Sequence, residues 1–186
     1  TIADFSSQNL GPIDVKIMAA EYGFQGFIAA IARLNLTGCG LTGGTKTAGW
    51  NGSEYTAWEK IDSDMSGFIS LCSVLGKVKE IILADCGLGP DSGAELSKVF
   101  TNADAAIASI NFSQNDAITG KRSRDYNGRA PWIYGEKLEG WIALCSSLSG
   151  SSITSLNFSR CGLNSQSLAP LTDAIKSMPV VEAVAI

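Results

Sequence analysis

The chain has 186 residues, 45% of them hydrophobic and 17% charged, with a net charge of −4; this composition suits one packed globular domain and excludes a disordered segment. The acidic balance argues against a general nucleic-acid binder, which needs a basic face, and the absence of histidine removes the commonest general base and zinc ligand and the imidazole relays of hydrolases. No apolar run approaches the roughly 20 residues of a bilayer span, so the chain is not expected to cross a membrane, though it could dock on a membrane complex.

In chain order, Ala3-Asp4-Phe5-Ser6-Ser7-Gln8-Asn9-Leu10 reads as a short strand and a turn. Gly11-Pro12 then opens a helix, because proline suits the first helical position. A second strand and turn, Arg33-Leu34-Asn35-Leu36-Thr37-Gly38-Cys39-Gly40-Leu41, superimposes without a gap on Glu80-Ile81-Ile82-Leu83-Ala84-Asp85-Cys86-Gly87-Leu88 and on Ser155-Leu156-Asn157-Phe158-Ser159-Arg160-Cys161-Gly162-Leu163. Gly89-Pro90-Asp91 opens another helix, with an early acid that suits the dipole. A looser copy runs from Ile110 to Ala117, Ser165 is the expected cap of a helix through Leu168, Leu171 and Ile175, and a sixth copy begins at Val184. In each copy Leu34 and Leu36, or their counterparts, flank an outward residue, which is the period of a half-buried strand.

The spacing alternates. Phe5 to Leu36 is 31 residues, Leu36 to Leu83 is 47, Leu83 to Phe112 is 29, Phe112 to Phe158 is 46 and Phe158 to Ile186 is 28. The extra lengths resemble one another: Gly67-Phe68-Ile69-Ser70-Leu71-Cys72 returns as Gly140-Trp141-Ile142-Ala143-Leu144-Cys145, and Glu59-Lys60-Ile61 as Glu136-Lys137-Leu138. The recurring element is therefore a pair of units, one short and one long.

These nine-residue stretches resemble the leucine-rich-repeat consensus, and specifically the ribonuclease-inhibitor-like class, over essentially the whole chain. That resemblance implies an α/β fold, a leucine-rich-repeat solenoid in the form of a short horseshoe, with a parallel sheet on the concave side and helices on the convex side. The domain organisation expected is a single leucine-rich-repeat domain over residues 1–186, about five and a half repeats long, with insertions near 43–61 and 119–138. The resemblance further implies a surface that grips another protein. The chain starts at Thr1 without an initiator Met or a signal-peptide pattern and stops at Ile186 in mid-strand. Either it is a piece of a longer array, or an end is covered by a partner subunit.

Cys39, Cys86 and Cys161 occupy the turn position where the resembled class uses Asn or Cys, and Cys72 and Cys145 sit at matching apolar helix positions. All five are expected to be structural thiols in a reducing intracellular compartment, of which an organelle is one. No spacing suggests a metal site, a cofactor or a catalytic group, so no enzyme is expected. Asp4, Asn35, Ile82, Asn111 and Asn157, with Ser6, Thr37, Ala84, Ser113 and Ser159, are expected on the open sheet face.

Aromatic residues and arginines, the types enriched at interface hot spots, concentrate in the two insertions. The first carries Trp50, Tyr55 and Trp58; the second carries Arg122, Arg124, Tyr126, Arg129, Trp132 and Tyr134. These nine are the candidate partner-binding residues, unless the tryptophans instead fold back over the chain's own helices. The expected function is a non-catalytic protein-interaction scaffold, an accessory or stabilising subunit of a larger complex. The alternative is an anion- or nucleic-acid-binding module built on the basic insertion 121–134, although nucleic acid is disfavoured by the overall charge.

Overall fold

The computed structural model describes residues 1–24, 31–47, 57–102, 105–123 and 132–186, with backbone alone for 22–24, 122–123 and 132. In chain order the elements are β1 (Ile2–Asp4), α1 (Pro12–Phe24), β2 (Arg33–Asn35), β3 (Thr45–Thr47), β4 (Ala57–Glu59), α2 (Ser66–Leu75) and β5 (Glu80–Ile82). There follow α3 (Pro90–Phe100), β6 (Ser109–Asn111), β7 (Lys121–Ser123), β8 (Trp132–Tyr134), α4 (Glu139–Leu148), β9 (Ser155–Asn157), α5 (Ser165–Ser177) and β10 (Ala183–Ala185). The architecture is α/β.

Six of the strands form one parallel sheet in the order β1-β2-β5-β6-β9-β10, while β3 with β4 and β7 with β8 form two separate antiparallel hairpins. Ala3, Leu34, Ile81, Ile110, Leu156 and Val184 stand side by side in the sheet register. Two residues further on, Leu36, Leu83, Phe112 and Phe158 form a second buried row. The ladder continues there, Leu36 N–H donating to Ile82, Leu83 to Asn111, Phe112 to Asn157 and Phe158 to Ala185. Each three-residue strand would be too short to hold alone, so stability comes from the apolar rows. Phe112 stacks on Phe158 at 5.5 Å, and Trp141 meets Phe158 edge-on at 5.1 Å, while the Trp141 indole N–H donates to the Ser167 carbonyl.

The turns after the strands repeat in conformation. Ser7, Gly38, Asp85, Gln114 and Arg160, each at the same place relative to its strand, all have φ between 54° and 76°. Four of those five are not glycine, so each bears a left-handed cost of about 1 kcal/mol that the surrounding packing offsets. A second left-handed residue follows at Asn9, Gly87 and Gly162. These are the turns of the short units; in the long units the chain leaves for a hairpin instead.

The buried thiols and one amide bridge successive turns. Cys39 Sγ donates to the Phe5 carbonyl, Cys86 Sγ to Leu36 and Cys161 Sγ to Phe112, while Asn115 takes the same place in the fourth copy and donates from Nδ2 to Leu83. Burial raises the thiol pKa of Cys145 and Cys161 to about 12 and pushes Cys72 and Cys86 upward as well. Such thiols are poor nucleophiles.

The helices approach in pairs. Gly67 of α2 lies against the backbone of Pro12 in α1, and Gly140 of α4 lies against Pro90 in α3; a Cβ at either glycine would overlap the proline carbonyl oxygen. Between α2 and α3 the packing opens into a groove of about 440 Å³ lined by Ile69, Cys72, Glu95 and Val99. The helix starts at Pro12 and Pro90 follow the sequence reading. At α5 the cap is Asn164, not Ser165: its Oδ1 accepts from the N–H of Gln166 and Ser167, and Ser167 Oγ accepts the Asn164 N–H in return. Pro170 is the sixth residue of α5, past the first turn, where it removes the N–H that would otherwise reach the Gln166 carbonyl. Among the described residues no helix is long and apolar enough to cross a membrane.

Candidate docking surface

The two hairpins are where the aromatic and basic candidates gather, and both stems are built on one device. In the first, Lys46 faces Trp58 across the pair. In the second, Lys121 faces Tyr134. A lysine and an aromatic ring on the same face of a two-stranded stem present a flat apolar surface with a charge at its edge. That surface is turned toward the body of the molecule.

Trp58 is only 9% exposed. Its ring covers Gly87, where a Cβ would sit 2.7 Å from the indole, and also lies against Gly40 and Gly44. Its Nε1–H donates to Asp85 Oδ1 at 2.8 Å, and Lys46 Nζ meets Asp85 Oδ2 at 2.6 Å while standing 5.0 Å from the indole centroid. Asp85 thus takes both donors of the hairpin, held outward by its left-handed backbone. Trp58 is a clamp within the chain, with the ring folded over turns rather than over helices.

Tyr134 repeats this contact. Its ring lies over Gly162, where a Cβ would come within 2.5 Å, and its carbonyl accepts from Asn164 Nδ2 at 2.8 Å. Lys121 is drawn to Asp116 at 2.6 Å and retains 9% of its side-chain exposure. Each hairpin therefore lays an aromatic residue on the left-handed glycine of the following short unit. Only glycine fits there, both for the backbone and for the ring above it.

The first hairpin adds a helix cap. Asp62, just past β4, accepts from the N–H groups of Gly89, Asp91 and Ser92 and from Ser92 Oγ at 2.5 Å, which satisfies the first turn of α3 with a carboxylate from another unit. Nothing in the sequence marked Asp62, because the contact spans 27 to 30 residues.

Of the nine candidate residues, Trp58 and Tyr134 are described in full. Arg122 and Trp132 are described as strand backbone in β7 and β8. Trp50, Tyr55, Arg124, Tyr126 and Arg129 lie outside the described residues, in the segments 48–56 and 124–131 that join the strands of each hairpin. The structure brings Trp58 to Lys46 and Asp85, and Tyr134 to Gly162 and Asn164.

The open face of the sheet is quieter. Asp4, Asn35, Asn111 and Asn157 each turn Oδ1 back to accept the N–H two residues on. Hydrogen bonds from Ser6 hold the Asp4 carboxyl below its usual range. Ala84 and Ser113, expected on this face, are buried, because the chain has begun its inward turn by that point. Arg33 and Glu80 form an ion pair across β2 and β5 at 2.7 Å. Among the described residues no group of three or more Cys, Asp or Glu is placed to hold a metal ion. No protein-family model matches the chain, and a search of curated proteins also finds no match.

Proposed function

We propose that the chain is a leucine-rich-repeat solenoid of the ribonuclease-inhibitor-like class that serves as a non-catalytic protein-binding scaffold, an accessory subunit that stabilises a larger complex in a reducing compartment. The observation that carries this reading is the anchoring of both hairpin stems. Trp58, Lys46 and Asp85 lock the first, and Tyr134, Asn164 and Gly162 fix the second. Both stems are thereby held against the body of the molecule, and the sequence between their strands, 48–56 and 124–131, contains aromatic residues and arginines of the types suited to an interface. Successive in-register strands with buried apolar rows support the repeat reading.

The test is native affinity purification followed by mass spectrometry, run in parallel with a variant in which Trp50, Tyr55, Tyr126 and Arg129 are replaced by alanine. A scaffold retains defined subunits in stoichiometric amounts and the variant loses them. Salt titration of the purified complex separates this reading from the basic-module alternative: contacts from Lys121, Arg122, Arg124 and Arg129 to phosphates would weaken by roughly 10²-fold between 50 and 200 mM salt. An aromatic-centred interface changes far less. A chain recovered alone in both arms would defeat the proposal.

A further inference from the structure

The exits of α3 and α4 enclose a cavity of about 340 Å³, away from both hairpins. Its floor is Phe100, Ile107 and Ile153, and its walls are the last turns of the two helices with the connection 149–152 that leads to β9. Both helices are interior to the chain, α3 packing on α2 and α4 on α5, so neither end of the sequence opens it.

The walls are electronegative without bearing a charge. A helix C-terminus amounts to about half a unit of negative charge, and two of them end here. Among the described residues no cation of the chain is placed on either. The last turn of α4 has no basic residue, and Lys98 of α3 is drawn to Glu95, on the side of the groove between α2 and α3. None of the described residues lining the cavity is itself charged. Three of its hydroxyls are committed as donors: Thr101 Oγ1 to the Lys98 carbonyl, Ser147 Oγ to Leu144 and Ser151 Oγ to Leu148. A hydroxyl has one proton. With that proton spent on the helix, each of these oxygens offers a ligand only lone pairs.

We infer that this cavity is a binding site for a guanidinium group, borne either by an arginine of another protein or by a small free molecule. An anion is excluded by the two dipole ends and by acceptors that have no proton to give. A metal ion or an ammonium holds its water strongly, and Phe100, Ile107 and Ile153 cannot replace that water. Guanidinium is weakly hydrated: its flat faces suit the apolar floor, and the N–H donors around its edge suit the ring of oxygens. The site stands independently of what the hairpins bind.

The test is amide NMR of the full chain titrated with methylguanidinium. Saturable shifts are expected at Thr101, Gly150 and Ser151, with affinity roughly fivefold or more above that for methylammonium, and no saturable response to tetramethylammonium, which has the charge but no donor. Thr101→Val combined with Ser151→Ala removes two acceptors and is expected to weaken binding roughly tenfold. Ser149→Arg, at an exposed wall position, sets a guanidinium on the cavity from within the chain and is expected to abolish the response to the free one, with the fold intact by circular dichroism. Acetyl-Gly-Arg-Gly-amide separates the sources: binding as tight as methylguanidinium assigns the site to a protein's arginine, and weaker binding assigns it to a small free molecule. Shifts that grow linearly without saturating, that follow all three cations equally, or that survive in the Ser149→Arg chain overturn the inference.

Discussion

Asn115 provides the sharpest test of how successive turns are joined. It is 1% exposed; Oδ1 accepts from the N–H groups of Cys86 and Leu88, and Nδ2 donates to the carbonyls of Leu83 and Phe112 at 2.8 Å each. In an Asn115→Ala variant the Phe112 carbonyl still accepts from Cys161 Sγ. Three buried groups then lose their amide partner: two N–H donors and the Leu83 carbonyl. At about 1–3 kcal/mol for each unsatisfied buried group, and with partial relaxation, the expected loss is about 4 kcal/mol. Asn115→Cys restores a donor to Leu83, as Cys161 serves Phe112, and leaves the two N–H groups unpaired, so its expected loss is about 2–3 kcal/mol. Urea unfolding followed by circular dichroism reads both through the midpoint at constant slope. A loss below about 1 kcal/mol for Asn115→Ala, or cysteine no better than alanine, would refute the bridging role.

Trp58→Phe retains much of the ring area but loses the Asp85 bond, and is expected to cost about 1–2 kcal/mol, whereas Trp58→Ala costs about 3–5 kcal/mol and frees the first hairpin, seen as faster amide exchange at Lys46. Lys46→Met is expected to change stability by less than about 1 kcal/mol, because the pair with Asp85 is about one-third exposed on both sides; a double-mutant cycle with Asp85→Asn checks it. Gly140→Ala forces α4 off the Pro90 carbonyl and is expected to cost about 2–3 kcal/mol by thermal unfolding. The thiols give a pH dependence of defined sign. With the folded pKa of Cys145 and Cys161 raised to about 12 from an ordinary 9.0, the unfolded chain releases these protons first. Their stabilisation is complete below pH 9 and falls by about 1.4 kcal/mol per unit per thiol between pH 9 and 12. Urea unfolding across that range must show the decline, and Cys145→Ala must shallow it.

The parallel strands were legible because a two-residue period recurs at like-numbered positions, and Leu34, Ile81, Ile110 and Leu156 do meet in one register. Helix starts were legible at Pro12 and Pro90, where one residue fixes the backbone. The sequence points to Ser165 as the cap of α5, one residue after the actual cap, since Asn164 and Ser165 are both good caps and the choice follows from Asn164 also reaching the Tyr134 carbonyl. Trp58 was expected to contact a partner because aromatic content in an insertion is all the sequence displays. Its inward seat depends on Gly87, 29 residues away, and on Asp85, 27 away. Contacts of that range leave no local periodicity to read.

The alternation of unit lengths acquires a physical reason from these contacts. A short unit ends its turn with a left-handed residue and passes directly to a helix that begins with proline, or at α5 with an asparagine cap. It lacks the means to cover its own turn. The long unit before it provides that cover with a hairpin, and for α3 with the Asp62 cap; its own helix packs back through glycine on the proline of the short unit preceding it. Each long unit is thus bonded in both directions, and the short units that begin at Glu80 and Ser155 take the cover of their turns from the long unit before them. Deleting one hairpin, for example by joining Thr42 to Lys60, would on this logic destabilise the following turn around Gly87 more than the strand β2 that bears the hairpin. Amide exchange resolved by residue distinguishes the two, and equal loss at β2 and at Gly87 would show that the hairpin acts on its own unit instead.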